Sequence, residues 1–243
     1  MPRATHDVEL SDIVVKRYRA VDHDQPRREW RALRLLRGTG LAPAPLRTDP
    51  HGTPPTVVMS RLPGTSLEAF TPGTVEAAAR ALAALHAVPC GALPARAGAP
   101  AVLLAQVREW CATVPPGHDA LLDAACAWIA RPDVEAAIVR PTAPVFGTGD
   151  GNVANFLWDG ASVRLVDFEY AGRSDLAYEL AEVVEHVSAD GTGVLLLDAV
   201  ALSRPEAARL RECRRLFALY WLLRVRDRPD VGTRQAARLA SLL

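Results

Sequence analysis

The chain has 243 residues, of which 49% are hydrophobic and 23% are charged, a balance that is typical of a folded globular protein and excludes a disordered one. Its 28 basic and 28 acidic residues cancel, so no overall positive field favours nucleic acid or an anionic membrane. No apolar run reaches the length of a membrane span, no signal-peptide core follows Met1, and the four cysteines form no Cys-x-x-Cys pair. We therefore expect a cytoplasmic protein that binds neither nucleic acid nor membrane.

The first sixty residues follow the pattern of a small sheet with one helix. An apolar period of three to four residues predicts the helix, which Gly38 and Gly40 end. Alternating and β-branched residues predict the strands. In chain order, the predicted elements are strands over 7–10 and 13–18, a helix over 27–37, a strand over 56–60 and a linker over 61–67.

Lys16 is the only lysine of the chain, and the other 27 basic residues are arginines. It lies inside the strand predicted over 13–18. A compact ammonium on a flexible stem suits a nucleotide phosphate clamp, and a forked guanidinium does not imitate it. The alternative is a solvated strand lysine that is present by chance, and Lys16 alone does not decide between the two.

From residue 74 onward the apolar spacing is mainly helical, with one interruption. Helices are predicted over 74–88, 101–113, 118–130, 133–139, 175–188, 194–202, 205–226 and 231–242. The interruption contains two strand-like runs over 155–158 and 163–168, and the dipeptide Asp159-Gly160 between them is typical of a hairpin turn. The sequence thus predicts an α+β fold with two lobes: a small β-rich lobe over 1–62 and a mainly helical lobe over 63–243.

Polar residues flank the predicted hairpin at both ends. Asp150 precedes its first arm, Asn155 begins that arm, and Asp167 closes its second arm. Because a hairpin brings its ends together, we expect two carboxylates and an amide oxygen to meet at one edge, which are ligands that Mg²⁺ takes beside phosphates. Each residue alone is better explained as the cap of a turn or the end of a strand. The three together at this spacing favour a site.

Four segments now carry a resemblance to a known family. Asp150-x-x-x-x-Asn155 with Asp167-Phe168 resembles the catalytic loop and metal motif of the aminoglycoside phosphotransferase/choline kinase family, which has the protein-kinase-like fold. Residues 175–181 (DLAYELA), 57–64 (VVMSRLPG) and 82–86 (LAALH) are similar to further segments of that family. The resemblance implies an ATP- and Mg²⁺-dependent kinase that phosphorylates a hydroxyl group of a small molecule.

The resemblance also implies a role for each matching residue. Asp150 would be the catalytic base that orients the substrate hydroxyl, and positioning and electrostatics would supply most of the catalysis. Lys16 would bind the ATP phosphates, and Glu29 would pair with Lys16. The segment from Met59 to Arg61 would contact adenine, and Asn155 and Asp167 would hold magnesium.

The chain departs from the family pattern in two places. Thr148 stands where the family usually has histidine, which concerns the rigidity of the loop more than the chemistry. No glycine precedes Gly38, so a glycine-rich phosphate loop is absent, and only 15 residues precede Lys16. The predicted N-terminal lobe is therefore abbreviated, or the natural start lies upstream. These departures favour an alternative function, a nucleotide-binding pseudokinase that acts as a regulatory or scaffold module.

One face of the helix predicted from residue 175 is acidic. Asp175, Glu179, Glu182 and His186 recur at helical spacing beside an apolar stripe. With Glu169, the last three are candidate contacts for a cationic acceptor such as an aminoglycoside or an amino alcohol. The alternatives are a solvated helix face and, for Asp175, a helix cap or a brace for the catalytic loop.

Overall fold

A four-stranded antiparallel sheet packed on one helix forms the N-terminal lobe of this computed structural model, which describes residues 6–19, 24–117 and 119–243. The strand order is β1-β2-β4-β3. The elements are β1 (His6–Leu10), β2 (Ile13–Tyr18), α1 (Gln25–Leu36), β3 (Pro45–Asp49) and β4 (Thr56–Ser60). Since side chains alternate along a strand, Lys16 and Tyr18 of β2 share one face, and both are buried.

Helix α1 covers that face of the sheet. Its apolar residues Ala32, Leu33 and Leu36 are buried, and Glu29 lies on the same helix face one turn earlier and is also buried. The helix begins two residues before its predicted start because proline fits the first turn, where its missing N–H is not needed. Helix and strand together therefore direct Glu29 and Lys16 toward each other.

Helices form most of the C-terminal part, as predicted. Helix α6 is packed against α8, and nine of its ten residues are buried, so it is a core helix and not an amphipathic surface helix. The helices are α2 (Val75–His86), α3 (Pro100–Ala112), α4 (Ala120–Ile129), α5 (Pro132–Val139), α6 (Leu176–Glu185), α7 (Leu195–Ala199), α8 (Arg204–Val225) and α9 (Pro229–Ala240). Within the described ranges, no helix combines the length and the apolar character that crossing a membrane requires.

The predicted hairpin is present. Phe156 of one arm pairs with Leu165 of the other, and a short strand from the predicted linker adds to its open side, giving the order β5-β7-β8. A separate pair of strands, β6 and β9, joins the two ends of the segment over 148–171, which contains the hairpin. These strands are β5 (Thr65–Ser66), β6 (Val145–Gly147), β7 (Phe156–Trp158), β8 (Val163–Leu165) and β9 (Gly172–Ser174). The lobe boundary between residues 62 and 63 stays a prediction.

Candidate active site

The loop over residues 148–155 joins β6 to β7 and is held tightly on two sides. Gly149 has a positive φ of 78°, and a Cβ there would lie 2.3 Å from the carbonyl oxygen of Tyr170. A Cβ on Gly151 would lie 2.6 Å from the carbonyl oxygen of Glu182 on α6. Only glycine permits both approaches without movement of the backbone. The loop is therefore pressed between residue 170 and α6.

Asp150 is the acidic residue of this loop. Its Oδ1 accepts the backbone N–H of Asn152 at 3.0 Å, and its Oδ2 accepts the side-chain amide of Asn155 at 3.1 Å. Burial, reinforced by the negative charge of Asp167, raises the pKa of Asp150 to about 6. The carboxylate is thus oriented by the loop, and its affinity for a proton is raised.

Asp167 follows β8 in a strained backbone conformation. Its φ is 67°, a left-handed value that side chains other than glycine rarely adopt and that is concentrated at functional sites. The backbone N–H of Val166 donates to the carbonyl oxygen of Asn155 at 3.0 Å, which joins the two ends of the hairpin as predicted. The side chain of Asp167 is 26% exposed, so it is partly accessible to a ligand.

Lys16 reaches Asp167 from the other lobe. Its Nζ lies 2.7 Å from Asp167 Oδ1, 2.7 Å from Glu29 Oε2 and 3.1 Å from Glu169 Oε2. Burial opposes its charge, but the three carboxylates keep the pKa of Lys16 well above its ordinary value. Tyr18 also donates its hydroxyl to Glu29. The chance alternative of a solvated strand lysine is wrong, because the side chain of Lys16 is only 4% exposed.

Glu169 does not line an acceptor face. It is buried beside Lys16, and its Oε2 also lies 3.0 Å from Nδ1 of His6. The carboxylates of Glu29, Asp167 and Glu169 lie within 4.8 Å of one another, and the ammonium of Lys16 contacts all three. The structure therefore places Glu169 with the lysine and not where the sequence predicted.

The two residues predicted near adenine lie at the end of β4. Met59 is buried in the sheet, opposite Val14 of β2. Arg61 follows the strand, is exposed, and donates to the carbonyl oxygen of Ser11 at 3.3 Å. Both lie where the two lobes connect, and their contact with a nucleotide stays a prediction.

The acidic residues of α6 do not form a solvated face or a site for a cation. Arg96, itself buried, lies 2.8 Å from Glu179 and forms a bidentate pair with Glu182. Burial alone would raise the pKa of Glu179, but Arg96 brings it below its usual value; burial raises the pKa of Glu182 to about 7. The prediction that these carboxylates receive a cationic acceptor is corrected, because an internal arginine occupies them.

The same arginine and glutamate hold the 148–155 loop. Arg96 donates to the carbonyl oxygen of Gly149 at 3.1 Å, and Glu179 accepts the backbone N–H of Thr148 at 2.9 Å. Arg96 was not predicted as a site residue, because the segment after α2 has no periodic pattern. A signal was present, since Arg96 is the only charged residue between positions 87 and 107.

Replacing Arg96 with methionine is expected to destabilise the protein by about 3–5 kcal/mol, because Glu179 and Glu182 would remain buried without their cation. Urea unfolding measures this loss. The matched control is Arg80→Met, which removes an arginine from an exposed pair with Glu76 and is expected to change stability little. Equal stability of the two variants would show that the buried pairing carries no net stabilisation.

The residues at the two ends of α6 also do not form a site for the acceptor. Asp175 caps the helix by accepting the backbone N–H of Tyr178 at 3.0 Å and pairs with Arg209 at 2.8 Å, which confirms the capping alternative. His186 lies just after the helix, 3.5 Å from Asp150, and is buried. Burial, together with the charge of Arg224, lowers the pKa of His186 to about 3. A neutral, buried ring does not supply charge to a substrate.

Comparison of the sequence with known protein families identifies the family of this chain. Residues 4–213 match the sequence model of the family described as "Phosphotransferase enzyme family". The chain belongs to this family. Among proteins with curated functions, none matches the sequence. The predicted family is confirmed, and membership assigns the protein to the phosphotransferases.

Solved structures that resemble this phosphotransferase show the same fold. A choline/ethanolamine kinase family protein from Mesorhizobium loti is 22% identical, with a TM-score of 0.69 over 98% of this chain and 84% of that one. A thermostable mutant of the aminoglycoside phosphotransferase APH(4)-Ia, in a ternary complex with ADP and hygromycin B, is 12% identical, with a TM-score of 0.69 over 98% and 93% of the two chains. The choline kinase LicA from Streptococcus pneumoniae is 14% identical, with a TM-score of 0.64 over 98% and 89%. The predicted two-lobed kinase-like fold is confirmed.

Proposed function

We propose that this phosphotransferase moves the γ-phosphoryl group of ATP to a hydroxyl group of a small molecule, with Mg²⁺ as the metal. The observation that carries the proposal is the meeting of Lys16 with Asp167 at 2.7 Å, next to a second carboxylate, Asp150, whose pKa is raised to about 6. Fixed positive charge for phosphates and a nearby proton acceptor are what a loose phosphoryl-transfer transition state requires.

The nucleotide would bind beside Lys16, where the side chain of Asp167 is partly exposed. The ammonium of Lys16 would bind the α- and β-phosphates, and the 2.7 Å pair with Glu29 fixes its direction. The backbone from Met59 to Arg61, at the junction of the lobes, would contact adenine. The ADP bound in the related aminoglycoside phosphotransferase supports a nucleotide cofactor for this chain.

The residues present fit magnesium. Asp167 offers a carboxylate on a side chain that is 26% exposed. The amide nitrogen of Asn155 donates to Asp150, which leaves its amide oxygen as a donor atom for the metal. Hard oxygen donors of this kind, one or two from protein and the rest from phosphates and water, are what Mg²⁺ prefers. The metal would neutralise charge on the phosphate oxygens.

Asp150 would act as the base for the acceptor hydroxyl. Two hydrogen bonds, from Asn152 and Asn155, hold its carboxylate in one orientation. The raised pKa brings its proton affinity closer to that of an efficient general base near neutral pH. The rigid loop would also position this side chain, and that positioning would supply the rest of its contribution to catalysis.

The acceptor is proposed to be a small hydroxyl compound without a required positive charge. The carboxylates that favoured a cation, Glu179 and Glu182, are paired with Arg96 inside the fold. Aminoglycosides, amino alcohols, macrolides and sugars all remain candidates, and a screen that measures ADP release from ATP or GTP against each class identifies the acceptor.

Removal of the divalent metal is expected to abolish ADP release, because Asp167 and the phosphates would repel each other without it. The measurement is turnover after chelation and dialysis, with restoration by added Mg²⁺. Calcium serves as the control metal, because it also binds oxygen donors but accepts a looser coordination geometry than Mg²⁺ does. Nucleotide binding without turnover against any acceptor would favour the pseudokinase alternative instead.

A further inference from the structure

His186 has three neighbours that fix its ring. Trp221 packs edge-to-face against it, with ring centroids 4.4 Å apart and an interplanar angle of 74°. Nδ1 lies 2.7 Å from the hydroxyl of Ser188, and Nε2 lies 3.5 Å from Oδ1 of Asp150. Because the ring is buried and neutral, its orientation and the position of its one N–H proton decide what it does to Asp150.

The hydrogen bonds of Ser188 determine the tautomer. Its backbone N–H donates to Nδ1 of His186 at 3.1 Å. Its hydroxyl accepts the backbone N–H of Val153 at 2.9 Å, which leaves the hydroxyl proton for the same Nδ1. A nitrogen that accepts hydrogen bonds carries no proton, so the neutral imidazole carries its proton on Nε2, the atom nearest Asp150.

We propose that His186 is a positioning residue for the catalytic base, with its Nε2–H directed at Oδ1 of Asp150 and its tautomer set by Ser188. This inference rests on the proposed function, since it assumes that Asp150 receives the proton of the acceptor hydroxyl. The 3.5 Å separation is longer than an ordinary N–H···O hydrogen bond, so without substrate the contact is electrostatic. Such contacts shorten when substrate orders the site.

The pair formed by His186 and Ser188 holds the 148–155 loop at two points. Ser188 binds the backbone of Val153, and His186 faces the side chain of Asp150. At the start of the loop, Glu179 of α6 holds the backbone of Thr148. The loop thus takes its orienting histidine from the segment that follows α6, whereas the residue two positions before Asp150 is a threonine.

The tautomer is tested without any activity measurement. Long-range ¹H–¹⁵N spectra of the full ¹⁵N-labelled chain report which nitrogen of each histidine carries a proton, and the signal lost in His186→Gln assigns the ring. We expect a protonated Nε2 and an unprotonated Nδ1 throughout about pH 5–8. Asp150→Asn should move the Nε2 signal. A proton on Nδ1, or an imidazolium in that range, would overturn the proposal.

Kinetics test the positioning role. His186→Leu removes the N–H and is expected to lower kcat about tenfold, the size of one hydrogen bond to a charged group, with the KM for nucleotide unchanged. His186→Gln keeps an N–H at the end of a side chain of similar reach and should recover most of kcat. The matched control is His51→Gln, in an exposed turn, which should match the wild type.

Equal losses in the leucine and glutamine variants, or a parallel rise in the KM for nucleotide, would show that His186 only packs. Should His186→Leu fail to fold, Ser188→Ala keeps the ring, removes the hydroxyl from Nδ1 and Val153, and is expected to lower kcat. A wild-type protein without turnover would refute the proposed function, and the spectra would still decide the tautomer. Full turnover in His186→Leu would refute the positioning role alone.

Discussion

Replacing Asp150 with asparagine is expected to lower kcat by about 10²–10⁴-fold, the range over which a general base contributes. Asparagine keeps the shape of the side chain and still accepts the Asn152 N–H, but it takes no proton from an attacking hydroxyl. Nucleotide affinity should stay within a few-fold of the wild type, because Lys16 and Asp167 are unchanged. The measurements are ADP release and nucleotide binding on the same preparation.

The same substitution, Asp150→Asn, lowers kcat but is expected to preserve or raise the stability of the fold. Burial and Asp167 raise the pKa of Asp150 to about 6, so the ionised carboxylate is less favourable in the fold than in the unfolded chain. Stability therefore falls as pH rises from the ordinary pKa through 6, and a neutral asparagine removes that penalty at pH 7. We expect an equal or higher Tm for Asp150→Asn without ligand. Asp227→Asn, on an exposed turn, is the control, and unchanged turnover in Asp150→Asn would end the assignment of the base.

Replacing Lys16 with methionine is expected to destabilise the protein by about 3–5 kcal/mol and to abolish turnover. The substitution leaves Glu29 and Glu169, both almost fully buried, without the ammonium that contacts them at 2.7 and 3.1 Å. The same ammonium would bind the nucleotide phosphates, so affinity for ATP should fall with stability. Urea unfolding and nucleotide titration measure the two losses separately.

Two further variants make this test specific. Arg17→Met, at the next position of β2, removes a cation from an exposed pair with Glu9 and should change neither property. Lys16→Arg keeps the charge but replaces a compact ammonium with a planar fork that does not fit three carboxylates at these distances. We expect it to retain part of the stability and to lose turnover. Wild-type turnover in Lys16→Arg would contradict the phosphate-clamp role.

Long elements and the hairpin with its turn dipeptide were predictable from the sequence, and short strands without such a signal were not. The helix α8 has twenty-two residues of periodic spacing and was predicted within one residue at each end. Strands β5, β6 and β9 have two or three residues each, too few to show a period of two. Their existence depends on pairing with distant strands, as β6 does with β9. Strand β3 was not among the predicted strands, although it begins at Pro45 and has five residues.

The site was predictable where residue type and local geometry agreed. Asp150 and Asp167 flank a hairpin whose turn dipeptide is visible in the sequence, so their proximity follows from the local chain alone. Lys16 stood out by composition, as a single lysine among arginines. These signals required no knowledge of distant contacts.

The acidic residues of α6 were misjudged because periodicity does not report what a face contacts. A charged stripe at helical spacing is identical in sequence whether it faces water or a buried arginine. The partner of Glu179 is Arg96, 83 positions away in a segment without secondary-structure signal. The same holds for His186, whose relation to Asp150 arises only when α6 is packed under the loop.

The single lysine of β2 gives this protein an unusual chemical property. Apart from the α-amino group, the chain has one primary amine, and that amine lies beside the carboxylates of Glu29 and Asp167. An ATP derivative with an amine-reactive acyl phosphate would therefore meet one side-chain amine. The mass of the intact polypeptide would report reaction at Lys16, without digestion or peptide mapping.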